Sequence, residues 1–566
     1  MVSIFVLAIW LIGAFIRMYQ YARFYQIEEY MSRRYLRWLF AERARWLPAR
    51  PVIAWLAGII LSVSFAEIGA VLLSGLVMLV AAVASIWTPR QVEIKKPFRA
   101  TARAKRLLGA SVFVTLVVLW ILLSFGGVWL GSLIPSEWYD YPLPRPGEVD
   151  PLARVELVGI AGSSTIGLIL FLAVPFLLIL GNILMTPVEA MFRRRFIQKA
   201  RDVLADVHPV VIGITGSYGK TSTKTYLAQI LSGRYRVLAT PKSYNTLMGV
   251  TLTINNQLAN DYSVDYLITE MGAYVEGEIA EICDLTRPQI GIVTEVGPQH
   301  LERFGSLENT AKAKYELIKA LPPEGVGVFN WDNPYVREMY ERGYPATRLA
   351  VSKAVRADDI IVNGPHFIAS DIQESLDGLR FTVTDMQTGE KQPFATMLLG
   401  NHNITNLLLA TAVAVHEGMS LNDVARRVQA LQPAESRLVR QTTPQGITII
   451  NDAYSANPVG AVEALRVLGM HTSGKRLLIT PGMVELGELM ESENKRLGEI
   501  AAQYASDVIL VGKERTKPIK VGLLDAGFAP EHLHVMDTLA ESVEWYQNHL
   551  RPGDTVLFLN DLPDTY

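Results

Sequence analysis

The sequence predicts an α-helical membrane-spanning region followed by two α/β domains, and three observations carry that expectation. Long apolar runs are confined to the first third of the chain. From Val210 onward, β-rich runs alternate with helical patterns. Between the first such strand and helix lies Gly213-Ile-Thr-Gly216-Ser-Tyr-Gly219-Lys220-Thr221-Ser222-Thr223, a glycine-rich turn of the kind whose backbone N–H groups cradle phosphate.

The chain has 566 residues, and 50% are hydrophobic, a share high for a wholly soluble protein. The excess sits in Val2 to Ile16, Val52 to Trp87, Leu108 to Ile134 and Leu157 to Met185. A helix crosses a hydrocarbon core of about 30 Å with roughly 17 to 25 residues. The run from Val52 to Trp87 is too long for one span and has Glu67-Ile-Gly69 at its middle. It reads as two short helices joined by a tight hairpin, giving about five spans in all. The first run has no basic segment ahead of it and no AxA-like site behind it, so it reads as a retained span rather than a signal peptide.

Basic residues set the expected orientation, because positive charge resists translocation. Arg17, Arg23, Arg33, Arg34, Arg37, Arg43, Arg45 and Arg50 are assigned to the first loop. Arg90, Lys95, Lys96, Arg99, Arg103, Lys105 and Arg106 are assigned to the third. Both loops should be cytoplasmic. Residues Pro135 to Glu156 are acidic on balance and should face outward. Arg193, Arg194, Arg195, Lys199 and Arg201 return the chain to the cytoplasm, which makes this a multi-pass inner-membrane protein with its phosphate loop inside.

One cysteine, Cys283, excludes an intrachain disulfide and a multi-cysteine metal site. A formal net charge of −2 leaves no footprint for nucleic acid.

Strand candidates Val210 to Thr215, Arg236 to Thr240, Tyr266 to Glu270, Ile290 to Val296 and Gly327 to Asn330 imply βαβ units and a parallel sheet. Ile360 to Val362, Leu379 to Val383 and Phe394 to Leu399 follow, separated by turns, and complete its edge. A second set is Ile447 to Ile450, Arg476 to Thr480, Val508 to Val511, His532 to Val535 and Thr555 to Leu559. The expected division is a membrane region at 1–206, a P-loop-type central domain at 207–399 and a Rossmann-like C-terminal domain at 400–566.

Ligands of such sheets lie beyond the carboxyl ends of the strands. There the chain places Gly216, Gly219, Lys220, Thr221 and Ser222 of the turn, Glu270 at a strand end, and His300 just past another strand. Lys314 follows on a helical stretch. The turn reads GxxGxxGKT, with Ile214 where the strict P-loop has its first glycine. Lysine supplies a mobile cation for phosphate, and the Thr221 hydroxyl suits Mg²⁺.

These motifs, taken in order, resemble those of the Mur ligases, and most closely the MurF type, which adds D-alanyl-D-alanine. The resemblance rests on GITGSYGKTSTK from Gly213, TEMGAYVEGEI from Thr269, HLERFGS from His300 and AKAKYE from Ala311. It extends to GNHNITN from Gly400, SRL from Ser436, NDAYSANP from Asn451 and GMVELGE from Gly482. It implies an ATP-dependent C–N ligase that activates a peptide carboxylate as an acyl phosphate. It also implies Lys220 on the ATP phosphates, and Thr221, Glu270 and His300 at magnesium sites. By the same resemblance Lys314 matches the lysine that in this family is carbamylated and helps hold a second Mg²⁺. Asn330, Asn403 and Asn406 fall on the nucleotide side, Arg437 and Asp452 over phosphates and ribose, and Asn245, Tyr454 and Asn457 are candidate substrate contacts.

Departures fall on the substrate side. MurF-type enzymes carry an N-terminal uridine-binding domain, and here the last span leads almost directly into the central domain. Glu295 stands where asparagine is usual, Ser455 replaces the asparagine of the DxYNANP-like motif, and Asn494 stands near a common histidine position. The C-terminal Leu559-Asn-Asp-Leu-Pro-Asp-Thr-Tyr566 lacks a KGS-type segment. The expected acceptor is a cell-wall peptide precursor, uridine-linked or lipid-linked and close to membrane lipid. The amine is an amino acid or dipeptide. Alternatives are an amidating ligase with a glutaminase partner, a poly-γ-glutamate-type synthase, and a membrane scaffold or transporter with a Mur-derived ATPase module. For transport, Glu67 is the one acidic candidate within the spans.

Overall fold

The computed structural model describes residues 2–28, 30–67, 71–86, 98–133, 151–242, 244–355, 364–454 and 457–560, side chains excepted at 66, 67, 71, 126–133 and 151–154. Outside them lie residues 68–70 of the expected hairpin, Arg90, Lys95 and Lys96, the expected outward loop from 135 to 150, the expected strand 360–362, Ser455 and residues 561–566. The chain divides into two compact units that part at Arg194/Arg195.

The first unit is helical: α1 (Val2–Ile27), α2 (Ser32–Ala41), α3 (Arg43–Trp46), α4 (Ala49–Glu67), α5 (Val71–Ile86), α6 (Ala102–Leu133) and α7 (Pro151–Val207). Among the described residues three helices are long and apolar enough to cross a membrane, α1, α6 over Ala102–Phe125 and α7 over Val155–Val207. The expected count of about five includes α4 and α5, which are apolar but shorter. These two pair side by side, with Ser74 Oγ donating to Ser62 O at 2.7 Å.

One correction concerns the basic residues. Arg17 and Arg23 lie within α1 rather than in a loop, because no glycine or proline interrupts the chain between Ile16 and Ile27. Arg17 is only 4% exposed and has a structural task. Pro175 has no N–H to offer the carbonyl one turn back, and Arg17 Nη1 donates to that oxygen, Phe171 O, at 2.7 Å. Arg193 to Arg201, expected beyond the last span, belong to the single 57-residue α7, and Pro151 to Glu156, expected in a loop, form its first turns.

The second unit holds two sheets. The first has nine strands: β1 (Val210–Thr215), β2 (Val237–Ala239), β3 (Tyr266–Glu270), β4 (Ile290–Val293), β5 (Val326–Asn330), β6 (Thr347–Ser352), β7 (Phe367–Ser375), β8 (Gly378–Asp385) and β9 (Lys391–Thr396). Their order is β2-β3-β1-β4-β5-β6-β7-β8-β9. Strands are parallel up to β7, and β8 and β9 add antiparallel. The second sheet comprises β10 (Val439–Thr442), β11 (Thr448–Asp452), β12 (Arg476–Thr480), β13 (Asp507–Val511), β14 (Leu533–Met536) and β15 (Thr555–Leu559). Its order is β10-β11-β15-β12-β13-β14, parallel except for the β10–β11 pair. Strands β6, β7 and β10 were not anticipated from sequence; β10 is mostly exposed and polar and so lacks an alternating pattern.

Packing moves both expected divisions. Ala200 of α7 is buried with Val211 and Ile254, and Ile197, Val203 and Leu204 pack on the same cluster, so this unit begins before residue 207. Helices His402–His416 and Leu421–Gln429 follow the expected break at 399/400, yet Ile404, Leu407, Leu408, Val424 and Val428 bury in the core of the nine-stranded sheet.

Candidate functional site

Strand β1 lies between β3 and β4, in parallel register with both. Their carboxyl ends therefore set the glycine turn, Glu270 and the segment from Thr294 side by side. The turn joins β1 to helix α8 (Lys220–Leu231). Gly216 has φ +146°, and a Cβ there would stand 2.0 Å from Thr294 Oγ1. Gly219 has φ +80°, and its Cβ would stand 2.4 Å from Asn406 Oδ1. Only glycine fits either place. Thr294 Oγ1 donates to Tyr218 O, and Ser217 N to Glu295 O at 2.6 Å, tying the turn to β4.

Lys220 Nζ donates to Gly216 O and, at 3.0 Å, to Ser217 O. Burial, offset in part by Glu270 and reinforced by Arg437, lowers its pKa to about 8. Lys314, 3% exposed, lies with its ammonium 5.3 Å from the centre of the Phe304 ring. Burial and then the Lys220 charge lower it to about 7. His300 is held below its usual value by burial, against the opposing pull of Glu485, with Lys220 and Lys314 adding to the depression. Burial depresses all three groups, the carboxylates Glu270, Glu278, Glu316 and Glu485 oppose it, and Lys220 adds to the depression of Lys314 and His300. Buried lysines beside one another in this way suit a polyanionic ligand.

Glu270 ends β3 and is buried. Its Oε1 accepts from Thr221 Oγ1 and Asn245 Nδ2, each at 3.2 Å, and its Oε2 from Lys224 Nζ at 2.9 Å. Sequence reasoning missed Lys224, although its place one helical turn after Lys220 in GKTSTK was a usable signal. Among the described residues no three His, Cys, Asp or Glu side chains form a metal cage. Magnesium commonly takes one or two protein carboxylates and fills its shell with phosphate oxygens and water, and the donors Glu270 and Thr221 fit that habit.

Arg437 stacks its guanidinium 4.7 Å from the centre of the Tyr454 ring, and its Nε is buried without a hydrogen-bond partner among the described residues. An orphaned buried donor of this kind suits an anion. Asp452 accepts from Leu438 N at 3.0 Å, and burial raises it to about 6 against the pull of Arg437. The Arg437 charge, just ahead of β10, adds to the depression of Lys220 at the turn after β1.

Other expected residues have structural partners. Asn403 Nδ2 donates to Leu399 O at 2.7 Å, and its Oδ1 accepts from Tyr226 OH and Asn406 Nδ2, each at 3.1 Å. Asn406 Oδ1 accepts from Thr223 at 3.2 Å. This network supports the back of the glycine turn. Asn330 Oδ1 accepts from Asp332 N at 3.1 Å, Ser222 is buried on α8, and Asn457 caps the helix Pro458–Gly469 through Gly460 N at 2.9 Å. Tyr454 is 44% exposed. Asn494, on the helix Met490–Tyr504, bonds Met483 and Met490 through its amide.

A family profile described as the Mur ligase middle domain matches residues 214–414, and one described as the Mur ligase glutamate ligase domain matches residues 436–560. The UDP-N-acetylmuramoyl-tripeptide–D-alanyl-D-alanine ligase of Bacillus subtilis (strain 168) is 31% identical over 362 residues, 64% of this chain and 75% of that protein. Its Escherichia coli (strain K12) counterpart is 33% identical over 324 residues, 57% of this chain and 69% of that one. Among solved structures, MurF from Acinetobacter baumannii aligns with a TM-score of 0.56 at 24% identity, covering 66% of this chain and 78% of that one. The MurF ligase of Thermotoga maritima in complex with ADP gives 0.56 at 22% identity over 65% and 80%.

Proposed function

Because the chain belongs to the Mur ligase family and is an ATP-dependent ligase, we propose that it joins an amine such as D-alanyl-D-alanine to the peptide carboxylate of a membrane-held cell-wall precursor. The observation that carries this reading is the crowding of Lys220, Lys314, His300 and Arg437 around the glycine turn, beside the buried Glu270.

In this reading the turn and Lys220 hold the ATP phosphates, and Arg437 and Asp452 bind from the second sheet. Glu270, Thr221 and His300 would hold magnesium, which supplies charge neutralisation to the transferring phosphoryl group. A substrate carboxylate oxygen attacks the γ-phosphorus, the bond to the bridging oxygen breaks, and ADP leaves. The amine nitrogen then attacks the acyl carbon; the C–O bond to phosphate breaks and the amine loses its proton. Phosphoryl transfer needs positioning and charge stabilisation more than proton transfer, and the side chains present are of that type. Lys314, at about 7, is partly neutral at physiological pH. A neutral amine is the form that adds to CO₂ to give a carbamate and a proton, which would convert a repelled cation into an anion.

Membrane attachment is supported by the three helices long enough to span. The lipid-linked form of the acceptor is supported by the connection: α7 ends at Val207 and β1 begins at Val210, so no domain is inserted between them. The test is to incubate the full chain with ATP, magnesium and D-alanyl-D-alanine, offering uridine-linked and lipid-linked tripeptides separately, and to weigh the products. A lipid-linked product absent from Lys220→Ala protein supports the reading. Product formed from the uridine-linked peptide alone removes the membrane-held acceptor, and product that requires ammonia or glutamine replaces the dipeptide.

A further inference from the structure

Glu485 is the least explained charged group near the site. It belongs to GMVELGE between β12 and the helix Met490–Tyr504, and it reaches His300 across 185 positions of sequence. Its carboxylate meets His300 Nδ1 directly, and its other oxygen lies 3.5 Å from Arg303 Nη2.

The presenting loop is firmly built. Met483 and Leu486, each 2% exposed, anchor it in the core of the second sheet. Asn494 Oδ1 accepts from Met483 N at 2.8 Å, while its Nδ2 donates to Met483 O at 2.9 Å and Met490 O at 2.8 Å. Asn560 Nδ2 holds Gly482 O at 2.6 Å. The departure at Asn494 thus has a structural account: its amide staples the loop at three points. Two non-glycine residues at the contact have left-handed backbones, Glu485 with φ +62° and His300 with φ +56°. Strain of that kind persists where surroundings over-determine it. Tyr274 packs edge-on to His300 at 4.6 Å, and Arg303 covers the Tyr274 ring at 4.1 Å, so the imidazole is clamped on two sides.

We propose that Glu485 is a positioning residue: by taking the Nδ1 proton of His300 as a hydrogen-bond acceptor, it fixes the tautomer in which Nε2 offers a lone pair to the magnesium ion at the phosphates. A carboxylate on the far nitrogen of a ligating histidine sets ring orientation and raises ligand basicity. Glu485 comes from the second sheet and His300 from the first, so the contact also links the arrangement of the two sheets to metal affinity. This inference rests on the ligase reading above.

The test uses the full chain with ADP and Mn²⁺ as the magnesium probe, following bound Mn²⁺ by electron paramagnetic resonance beside the melting temperature. Loss of an outer partner of a ligand typically weakens metal binding about 10- to 100-fold. Glu485→Ala should lose Mn²⁺ affinity in that range with an unchanged melting temperature, and Glu485→Gln, which keeps an acceptor, should recover part of it. Arg303→Ala, which removes the 3.5 Å ion pair and the cover of the Tyr274 ring but leaves the Glu485–His300 bond in place, should stay within about twofold of wild type. Unchanged Mn²⁺ affinity in Glu485→Ala, or an equal loss in Arg303→Ala, overturns the positioning role. Wild-type protein assayed alongside separates the two readings, since a failure of the ligase reading shows as no Lys220-dependent product whatever the Mn²⁺ result.

Discussion

Lys224 and Glu270 form an ion pair of 2.9 Å in which the side chains are 4% and 1% exposed. Lys224 also donates to Lys242 O, so both charges are removed from water and held by several bonds. The pair gives Glu270 a fixed position at the end of β3 while leaving Oε1 toward Thr221. Breaking a buried pair strands the remaining charge, which costs about 3–5 kcal/mol. Lys224→Met should therefore lower the melting temperature by roughly 10 °C. The double variant with Glu270→Gln should regain most of that loss in the same thermal scan.

The glycine turn predicts a separate effect on chemistry. Gly216→Ala would force a Cβ to 2.0 Å from Thr294 Oγ1 and 2.9 Å from Glu295 N, displacing the turn or β4. Misplacement on the scale of 1 Å costs about 100-fold in rate. ADP release by this variant should fall by at least that factor, with the circular dichroism spectrum preserved.

Much of this site was legible because phosphate chemistry leaves local signatures. The GKT turn, Glu270 at a strand end and His300 beyond another could each be placed by the alternation of strands and helices, and the parallel order then brought them together. What the sequence concealed depends on contacts between distant segments. Lys224 looked like one more lysine on a helix until β3 placed Glu270 against it. Glu485 was visible as part of a motif, but its partner lies in another sheet. The asparagines at 403 and 406 read as nucleotide-side residues, and nothing local in the sequence showed that their amides bond one another and Thr223 of α8. Hydrophobic pattern alone also left open that the helix carrying the last apolar run continues through the basic residues beyond it, as α7 does.

Acid pH should act through Asp452. Burial raises this carboxyl from 3.8 to about 6, so it gains a proton as pH falls through 6 and can no longer accept as an anion. The value of kcat/KM for ATP, which reports free-enzyme groups, should decline below pH about 6. Asp452→Asn should lower the plateau and flatten that limb. A limb of unchanged depth in Asp452→Asn would assign it to another group.

The Arg17 contact to Phe171 O predicts a coupled pair in the helical unit. Arg17→Met leaves the carbonyl below Pro175 without its donor and should destabilise the protein by about 1–3 kcal/mol. Pro175→Ala restores a backbone N–H to that oxygen, so it should offset part of the Arg17→Met loss in a double-mutant cycle. Thermal unfolding in detergent reads all four proteins.

The most direct measurement follows oxygen. A tripeptide precursor labelled with ¹⁸O in its terminal carboxylate is incubated with the full chain, ATP, magnesium and D-alanyl-D-alanine, and the released phosphate is weighed. Activation as an acyl phosphate transfers one labelled oxygen to phosphate for each amide formed, and Lys220→Ala abolishes both. Phosphate released without label, or amide formed without ATP, would contradict the account.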